Sequence, residues 1–480
     1  MIDELHQVVR KTKVIATIGP SIDSFEKLEE LAKAGLNAVR FNLSHEKSSV
    51  HEKRMKRVNE LNESLDRKIA IVLDTQGPEI RTGLVKGGGT LFLKEGSEVV
   101  LSTSKKESFG DVIAVSYKSL PKLVSKGDKV LIADAKFELE VVESKGGNEV
   151  LCKVLVGGEL SSRKNMGVPG MELDLPSITE GDAEVISLGA KHGADYVAQS
   201  FVRTAEDVLE LMEMVQDAGS DAAVIAKIEH CTAMKNLESI IGASDATMVA
   251  RGDLGVHLPI EDVPGAQKTI IQKSNLMGKP VVVATHMLES MVSNPRPTRA
   301  EATDVANAVF DGADAVMLSG ETAVGQYPLK AVQTMGLIAK KAESLLKFKG
   351  LTQEVVPRSF SLSTAIDRAA TQLAFDLDAA AIITPTSKGF TAKTVSKNRP
   401  KAEVIALTPN VRVQRKLAIV WGVEAIRFSE SVNSKNMMVE AVNEAKAHGL
   451  VKKGDTVVVT AGIPLGVSGS TNTLRVQVVD

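Results

Sequence analysis

The chain has 480 residues, a formal net charge of −2, 43% hydrophobic and 25% charged residues, an ordinary soluble composition long enough for two or three domains. Aromatics at 3% and a balanced charge leave neither stacking platforms for single-stranded nucleic acid nor a basic footprint for DNA or RNA, so no nucleic-acid partner is expected. Cys152 and Cys231 make no disulfide framework and sit in no metal-ligand spacing, no secretory pattern opens the chain and no apolar run approaches a membrane span; a cytoplasmic protein with no membrane partner is expected.

In chain order, the β-branched run at 14–18 predicts a strand, and 24–34 a helix with Ser24 as N-cap and Gly35 as stop. A second strand is expected over 36–42, a charged helix over 45–67 and a third strand over 69–74. From 77 to 175 the rhythm breaks into short, glycine-punctuated strand patterns at 90–93, 98–101, 129–132 and 138–142. An inserted all-β module explains this better than a long loop, and because it departs right after Asp74 it would act as a lid. Strands resume at 196–201, 223–229, 246–251, 280–285 and 314–318, and Thr298-Arg299-Ala300-Glu301 reads as a capping box. Eight strand-helix units match a closed (β/α)8 TIM barrel better than an open sheet, and no Gly-x-Gly-x-x-Gly follows the first strand. Beyond a weakly patterned linker at 349–358, strands at 380–384, 404–408 and 456–460 mark a C-terminal α/β domain. The expected division is a barrel over 1–76 and 176–348, an inserted β-barrel lid over 77–175 and the C-terminal domain over 349–480.

Polar residues gather at the carboxyl ends of six of the barrel strands: Arg40, Asn42 and Ser44; Asp74 and Thr75; Lys227 and Glu229; Asp253; Thr285; and Ser319. A closed barrel brings such ends together as a site. Glu229 and Asp253 offer hard oxygen ligands with no histidine cluster, which favours Mg2+ or Mn2+ over zinc. Arg40 and Lys227 are cations suited to clamping a phosphoryl group in transfer. Asn42, Ser44, Asp74 and Thr75 suit a monovalent-cation cage, and Gly252 lets a substrate carboxylate approach backbone amides at a helix start. Plainer readings stand beside these: a structural Lys227–Glu229 ion pair, a helix cap at Asn42 and Ser44, a hinge turn at Asp74 and Thr75, and local packing for His230, His257 and His286.

Seven segments then carry a family resemblance. They include Arg40-Phe41-Asn42-Leu43-Ser44-His45, Asp74-Thr75-Gln76-Gly77-Pro78-Glu79-Ile80-Arg81-Thr82-Gly83, Lys227-Ile228-Glu229, Arg251-Gly252-Asp253-Leu254-Gly255, Ala284-Thr285-His286-Met287-Leu288-Glu289-Ser290-Met291 and Met317-Leu318-Ser319-Gly320-Glu321-Thr322-Ala323. Nearly end to end, the chain resembles the pyruvate kinases. The resemblance implies phosphoryl transfer from phosphoenolpyruvate to ADP, giving pyruvate and ATP, the last step of glycolysis. It places Arg40 and Lys227 on the transferring group, and Glu229 and Asp253 on Mg2+ or Mn2+. It assigns Gly252, Asp253 and Thr285 to the substrate carboxylate end, and Thr285 with Ser319 to protonation of the enolate. It also implies K+ at Asn42, Ser44, Asp74 and Thr75, nucleotide contacts at Asn42, Ser44, His45 and Arg81, and a homotetramer. Thr384, Thr386, Ser387 and Thr391 resemble a loop for a phosphorylated allosteric effector, although a capped strand-helix turn explains them equally well.

Four positions depart from the family pattern. Gln76 stands where lysine is usual and Gly181 where a lysine meets nucleotide phosphates; His257 and His286 replace common Glu and Gln. Loss of two phosphate-side cations is expected to weaken ADP binding more than the chemical step. Gln76 is typical of potassium-independent members while Glu79 is associated with potassium dependence, so the two pull the K+ expectation in opposite directions.

Overall fold

A computed structural model describes residues 10–43, 46–144, 147–171, 176–346, 361–428, 436–462 and 471–480. Eight strands form the barrel: β1 (Lys13–Thr17), β2 (Ala38–Asn42), β3 (Ala70–Asp74), β4 (Tyr196–Gln199), β5 (Ala223–Ile228), β6 (Ala246–Ala250), β7 (Val281–Ala284) and β8 (Ala315–Leu318). They run parallel in the order β1-β8-β7-β6-β5-β4-β3-β2, and β1 pairs with β2 to close the ring. Each strand is buried on both faces, as a barrel ringed by helices requires. Ile15, Val72, Tyr196, Ile225, Met248 and Met317 are among the side chains filling the interior.

The helices start where the local chemistry dictates. Ser24 caps α1 (Phe25–Lys33), and Thr179 with Asp182 makes a capping box on α2 (Glu180–His192). A short helix, α3 (Arg251–His257), follows β6 at once, so Arg251 begins a helix instead of ending the strand expected over 246–251. The box at Thr298 and Glu301 forms as expected and opens α4 (Arg299–Asp311). The helix expected over 45–67 is shorter, Ser48–Ser64.

The inserted module is a six-stranded sheet, ordered Met166–Gly167, Lys129–Ile132, Phe137–Ser144, Glu149–Val156, Glu98–Ser102 and Val112–Ala114. Among the described residues this sheet is open and not the barrel expected there, with edge strands of two and three residues, and two two-stranded ladders, Leu91–Leu93 with Gly158–Leu160 and Leu84–Val85 with Glu107–Ser108, lie beside it. Its core includes Leu101, Val130, Leu139 and Val150 together with Cys152, whose thiol is pushed up to about 12 by burial; this cysteine is a packing residue.

The C-terminal unit opens with α5 (Leu362–Asp376) and carries β9 (Ala381–Pro385), β10 (Glu403–Thr408), β11 (Val423–Arg427), β12 (Thr456–Gly462) and β13 (Thr471–Val478) in one sheet, ordered β11-β10-β9-β12-β13. Only β13 is antiparallel to its neighbour. This unit plugs the amino-terminal mouth of the barrel: Ile419 packs into the interior cluster, Tyr196 donates to Lys416 O at 2.6 Å, and Arg415 and Arg399 pair with Asp195 and Asp314 at 2.8 and 2.9 Å. The opposite, carboxyl-end mouth is therefore the one left for a site.

One buried carboxylate yields a stability prediction. Asp367 on α5 is fully buried, accepts from Thr394 Oγ1, has no hydrogen-bond partner for Oδ1 among the described residues, and is pushed up to about 7 by burial. Its folded value exceeds its unfolded one, so the native state holds the proton more tightly and loses stability as pH climbs from the ordinary aspartate range to about 7. Asp367→Asn is expected to stabilise the protein by up to about 4 kcal/mol at pH 8 and by nearly nothing at pH 4. Calorimetry at the two pH values checks it; an equal effect at both contradicts it.

Candidate active site

The period-two alternation of each strand decides which residues reach the mouth. Ala223 and Ile225 of β5 face the barrel interior, so Lys227 continues that face, followed by Glu229 just past the strand. On β3 the same face carries Ala70, Val72 and then Asp74, and on β2 it carries Ala38 and then Arg40. These ends meet in one network. Lys227 Nζ lies 2.8 Å from Glu229 Oε1 and 3.1 Å from Asp74 Oδ1, and donates to Ser200 Oγ at 2.7 Å. Arg40 Nε donates to Asp74 Oδ2 at 2.5 Å and Nη1 to Thr17 Oγ1 at 3.3 Å. The Lys227–Glu229 ion pair does form, but as one edge of a four-residue lattice.

Its electrostatics follow from burial. Burial works against the charge of Lys227, yet Asp74 and Glu229 outweigh it and hold the ammonium above the ordinary lysine range. Asp74 is held low because Arg40 and Lys227 overcome its burial. For Glu229 burial wins, pushing the carboxyl up to about 7, with Lys227 pulling down and Asp253 pushing further up. Asp253, in the first turn of α3, is raised by burial in the same way.

This excess of negative charge fits a divalent cation. Glu229 Oε2 accepts from Phe201 N at 2.6 Å and Oε1 faces Lys227 Nζ at 2.8 Å, each carboxylate oxygen keeping a further lone pair. A hard cation accepts such a lone pair. Among the described residues no group of three His, Cys, Asp or Glu side chains could hold a metal, so a cation between Glu229 and Asp253 would need substrate or water oxygens to complete its shell.

Gly252 lies against Thr285: a Cβ at Gly252 would come within 2.8 Å of Thr285 Cγ2. Thr285 and His286 sit at φ 73° and 55°, a left-handed conformation that is costly for a β-branched residue and that surrounding structure must enforce. Arg251 supplies part of that force. It donates to Thr285 O at 2.6 Å and pairs with Asp304 of α4 at 2.6 Å. Ser319 stands at the N-cap position of the short helix after β8 without a side-chain capping bond, and its amide donates to Glu321 Oε2 at 2.7 Å. Glu321, fully buried and pushed up by burial, also accepts from Leu288 N at 3.0 Å, which ties the loops after β7 and β8 together.

Ser200, Asp182, Arg251 and Glu321 are thus site residues to which the sequence reading assigned no role. Ser200 had a legible signal, since Tyr196, Ala198 and Ser200 share one alternating face. Asp182 accepts from Gln76 N at 2.8 Å and fixes the turn after β3, a contact between distant segments that no local pattern announces.

The other assigned residues fall as follows. Thr75 Oγ1 accepts from Ser200 N at 3.0 Å, and Asn42 pairs in register with Asp74. Ser44 and His45 lie outside the described residues. Arg81 sits at the root of the module, its Nε donating to Glu79 Oε2 at 2.5 Å. In the C-terminal unit, Thr384 and Thr391 are buried and bonded internally, to Ile405 O at 3.3 Å and Thr471 Oγ1 at 2.8 Å. Thr386 Oγ1 accepts from Gly389 N at 3.0 Å, and Ser387 is exposed.

Comparison with known proteins agrees with this geometry. The family model "Pyruvate kinase, barrel domain" matches residues 9–332, and "Pyruvate kinase, alpha/beta domain" matches 364–477. The chain is 47% identical over 476 residues to a pyruvate kinase of Geobacillus stearothermophilus, covering 98% of this chain and 80% of the relative. It is 44% identical over 474 residues to one of Bacillus licheniformis, covering 98% and 81%. The crystal structure of a pyruvate kinase from Cryptosporidium parvum superposes with a TM-score of 0.90 at 37% identity, covering 98% of this chain and 97% of that one. With its polar strand ends converging at one mouth of a closed parallel barrel, the chain belongs to the pyruvate kinase family.

Proposed function

We propose that this protein is a phosphotransferase that moves the phosphoryl group of phosphoenolpyruvate to ADP, giving pyruvate and ATP. The carrying observation is the Arg40–Asp74–Lys227–Glu229 network with Asp253 beside it, in a chain of this family. Asp74 bonds both Arg40 and Lys227 and so holds the two cations close together, pre-positioned to take the oxygens of a transferring phosphoryl group without reorganising at the moment of reaction. Glu229 and Asp253 would hold Mg2+ or Mn2+, which when bound neutralises charge on the phosphoryl and carboxylate oxygens. Gly252 and Thr285 flank the place for the substrate carboxylate; Thr285 with Ser319 would deliver the proton to the enolate. Asn42, Ser44, Asp74 and Thr75 would hold K+, and Asn42, Ser44, His45 and Arg81 would meet nucleotide. Of the four effector-loop residues, Thr386 and Ser387 are the proposed contacts of a phosphorylated effector, while the buried Thr384 and Thr391 would shape the loop from beneath, on a homotetramer in the cytoplasm.

Among the described residues no helix is long and apolar enough to cross a membrane. The test is a coupled assay of pyruvate formation from phosphoenolpyruvate and ADP, with and without Mg2+ and with K+ exchanged for Na+. Absence of Mg2+-dependent pyruvate overturns the reading; a rate indifferent to K+ overturns the monovalent-cation site alone.

On the nucleotide side, Gly181 is exposed in the first turn of α2, and a Cβ there meets nothing nearer than Thr179 Oγ1 at 3.7 Å. The first carbon of a lysine side chain therefore meets no clash at this exposed position. Gly181→Lys is expected to lower the KM for ADP roughly fivefold with kcat little changed, the worth of about one exposed charge contact. An unchanged ADP titration counts against the assignment.

A further inference from the structure

The two carboxylates assigned to the divalent cation share a feature that their chemistry does not require. Each is followed closely in the chain by a buried histidine: Glu229, just past β5, by His230 at the N-cap of the next short helix, and Asp253 by His257 one turn on in α3. The two imidazoles touch, with ring centroids 4.5 Å apart, and His257 also stands edge-on to Phe201 at 6.3 Å. Both reach the same piece of chain, the limb by which the inserted module returns to the barrel. His230 Nε2 lies 2.9 Å from Met171 O. A Cβ at Gly167 would fall 2.5 Å from Val256 Cγ1 and 3.3 Å from His257 Cε1. Gly167 therefore has no side chain because the catalytic-face helix α3 occupies its place. Just before it, the limb is tied to the outgoing one, with Met166 N donating to Ile80 O at 2.9 Å and Thr82 N to Lys164 O at 2.8 Å.

We infer that His230 and His257 are positioning residues, a shared seat through which the docking of the inserted module sets the placement of Glu229 and Asp253. This rests on the reading of those carboxylates as the divalent-cation ligands. The physical argument is one of contacts that cannot be kept separately. The limb closes on Val256 and His257 only while α3 stays in place, and Met171 O meets His230 only while the end of β5 does. A module lifted from its seat releases both elements, and a pair of carboxylates free to part under mutual repulsion binds a cation less well. Conversely, a cation drawing the carboxylates together firms the seat.

The test uses the full chain with Mn2+ as the probe, read by electron paramagnetic resonance, alongside amide hydrogen exchange of residues 164–171. Gly167→Ala and His257→Ala are expected to weaken Mn2+ binding roughly tenfold, in the range of coupling between touching residues. Both are expected to speed exchange across 164–171, and kcat at saturating Mn2+ is expected to fall less than about threefold, so the loss shows in the cation requirement. Val256→Ala added to Gly167→Ala removes the 2.5 Å clash, leaving the 3.3 Å approach to His257, and is expected to restore most of the affinity, which separates seating from general damage to the fold. Gly89→Ala, in the same module with open space around it, is the control and is expected to leave both readouts unchanged.

Exchange that quickens in 164–171 while Mn2+ affinity stays at the wild-type value overturns the coupling and leaves the histidines as packing. Failure of the double variant to recover does the same. A wild-type chain that binds no Mn2+ sinks the ligand assignment and the inference together, and is told apart from failure of the coupling alone by the wild-type titration.

Discussion

Lys227→Met is expected to cut pyruvate formation at saturating phosphoenolpyruvate, ADP and Mg2+ by about 10³-fold or more, the scale seen when a pre-organised electrostatic contact to the transition state is removed. Lys227 Nζ sits between Asp74 and Glu229 and bonds to Ser200, which aims one fixed charge at the centre of the mouth. Arg40 alone cannot replace it, because its guanidinium is engaged with Asp74 from the other side. Methionine keeps the length and apolar stem while deleting the charge. The deletion also strands two buried carboxylates, and breaking a buried pair costs about 3–5 kcal/mol where the partners cannot protonate. Glu229, already pushed up to about 7, takes up a proton instead, so the fold survives at a lower melting temperature. The coupled assay on protein shown folded by its thermal transition checks this. Activity within tenfold of wild type removes Lys227 from the transfer step.

The second large effect concerns the cation and pH. Burial pushes Glu229 up to about 7, Lys227 pulls it down, Asp253 pushes it up, and Asp253 is itself raised by burial. A divalent cation binds the ionised carboxylates and must displace the proton, so raising the pH favours binding. Mg2+ affinity is expected to rise roughly tenfold per pH unit below about 7 and to level off above it. Glu229→Gln removes both the ligand charge and the titration: the Mg2+ requirement is expected to increase by about 10²-fold, about 2.7 kcal/mol, with a flatter dependence on pH. Mg2+ titrations of activity at pH 6, 7 and 8 for both proteins, repeated as direct Mn2+ binding, decide the matter. Wild-type affinity that does not change across that range contradicts the assignment of Glu229.

Much of this site was legible in the chain. The polar strand ends stood out because a barrel strand alternates inward and outward, and Arg40, Asp74 and Lys227 occupy the inward face where the apolar filling stops. The capping box at Thr298 and the cap at Ser24 were readable because both partners lie within one helical turn. Strand limits were less secure: β6 stops at Ala250 because Arg251 and Gly252 start a helix that holds Asp253 near Lys227. Strands at Glu149–Val156, Val423–Arg427 and Thr471–Val478 escaped the sequence reading.

Residue types and their period, which are local properties, determined that this chain forms a barrel with cations and carboxylates gathered at one rim. What each of those residues touches was decided only by closure of the barrel, since the partners are far apart in the chain. Ser200 reaches Thr75 across 125 residues, and Gln76 reaches Asp182 across 106. The seat formed by His230, His257 and Gly167 belongs to the same class. Local patterns specify which face a side chain occupies, but side-chain contact between distant elements depends on register and on the docking of the inserted module, which the folded chain settles all at once.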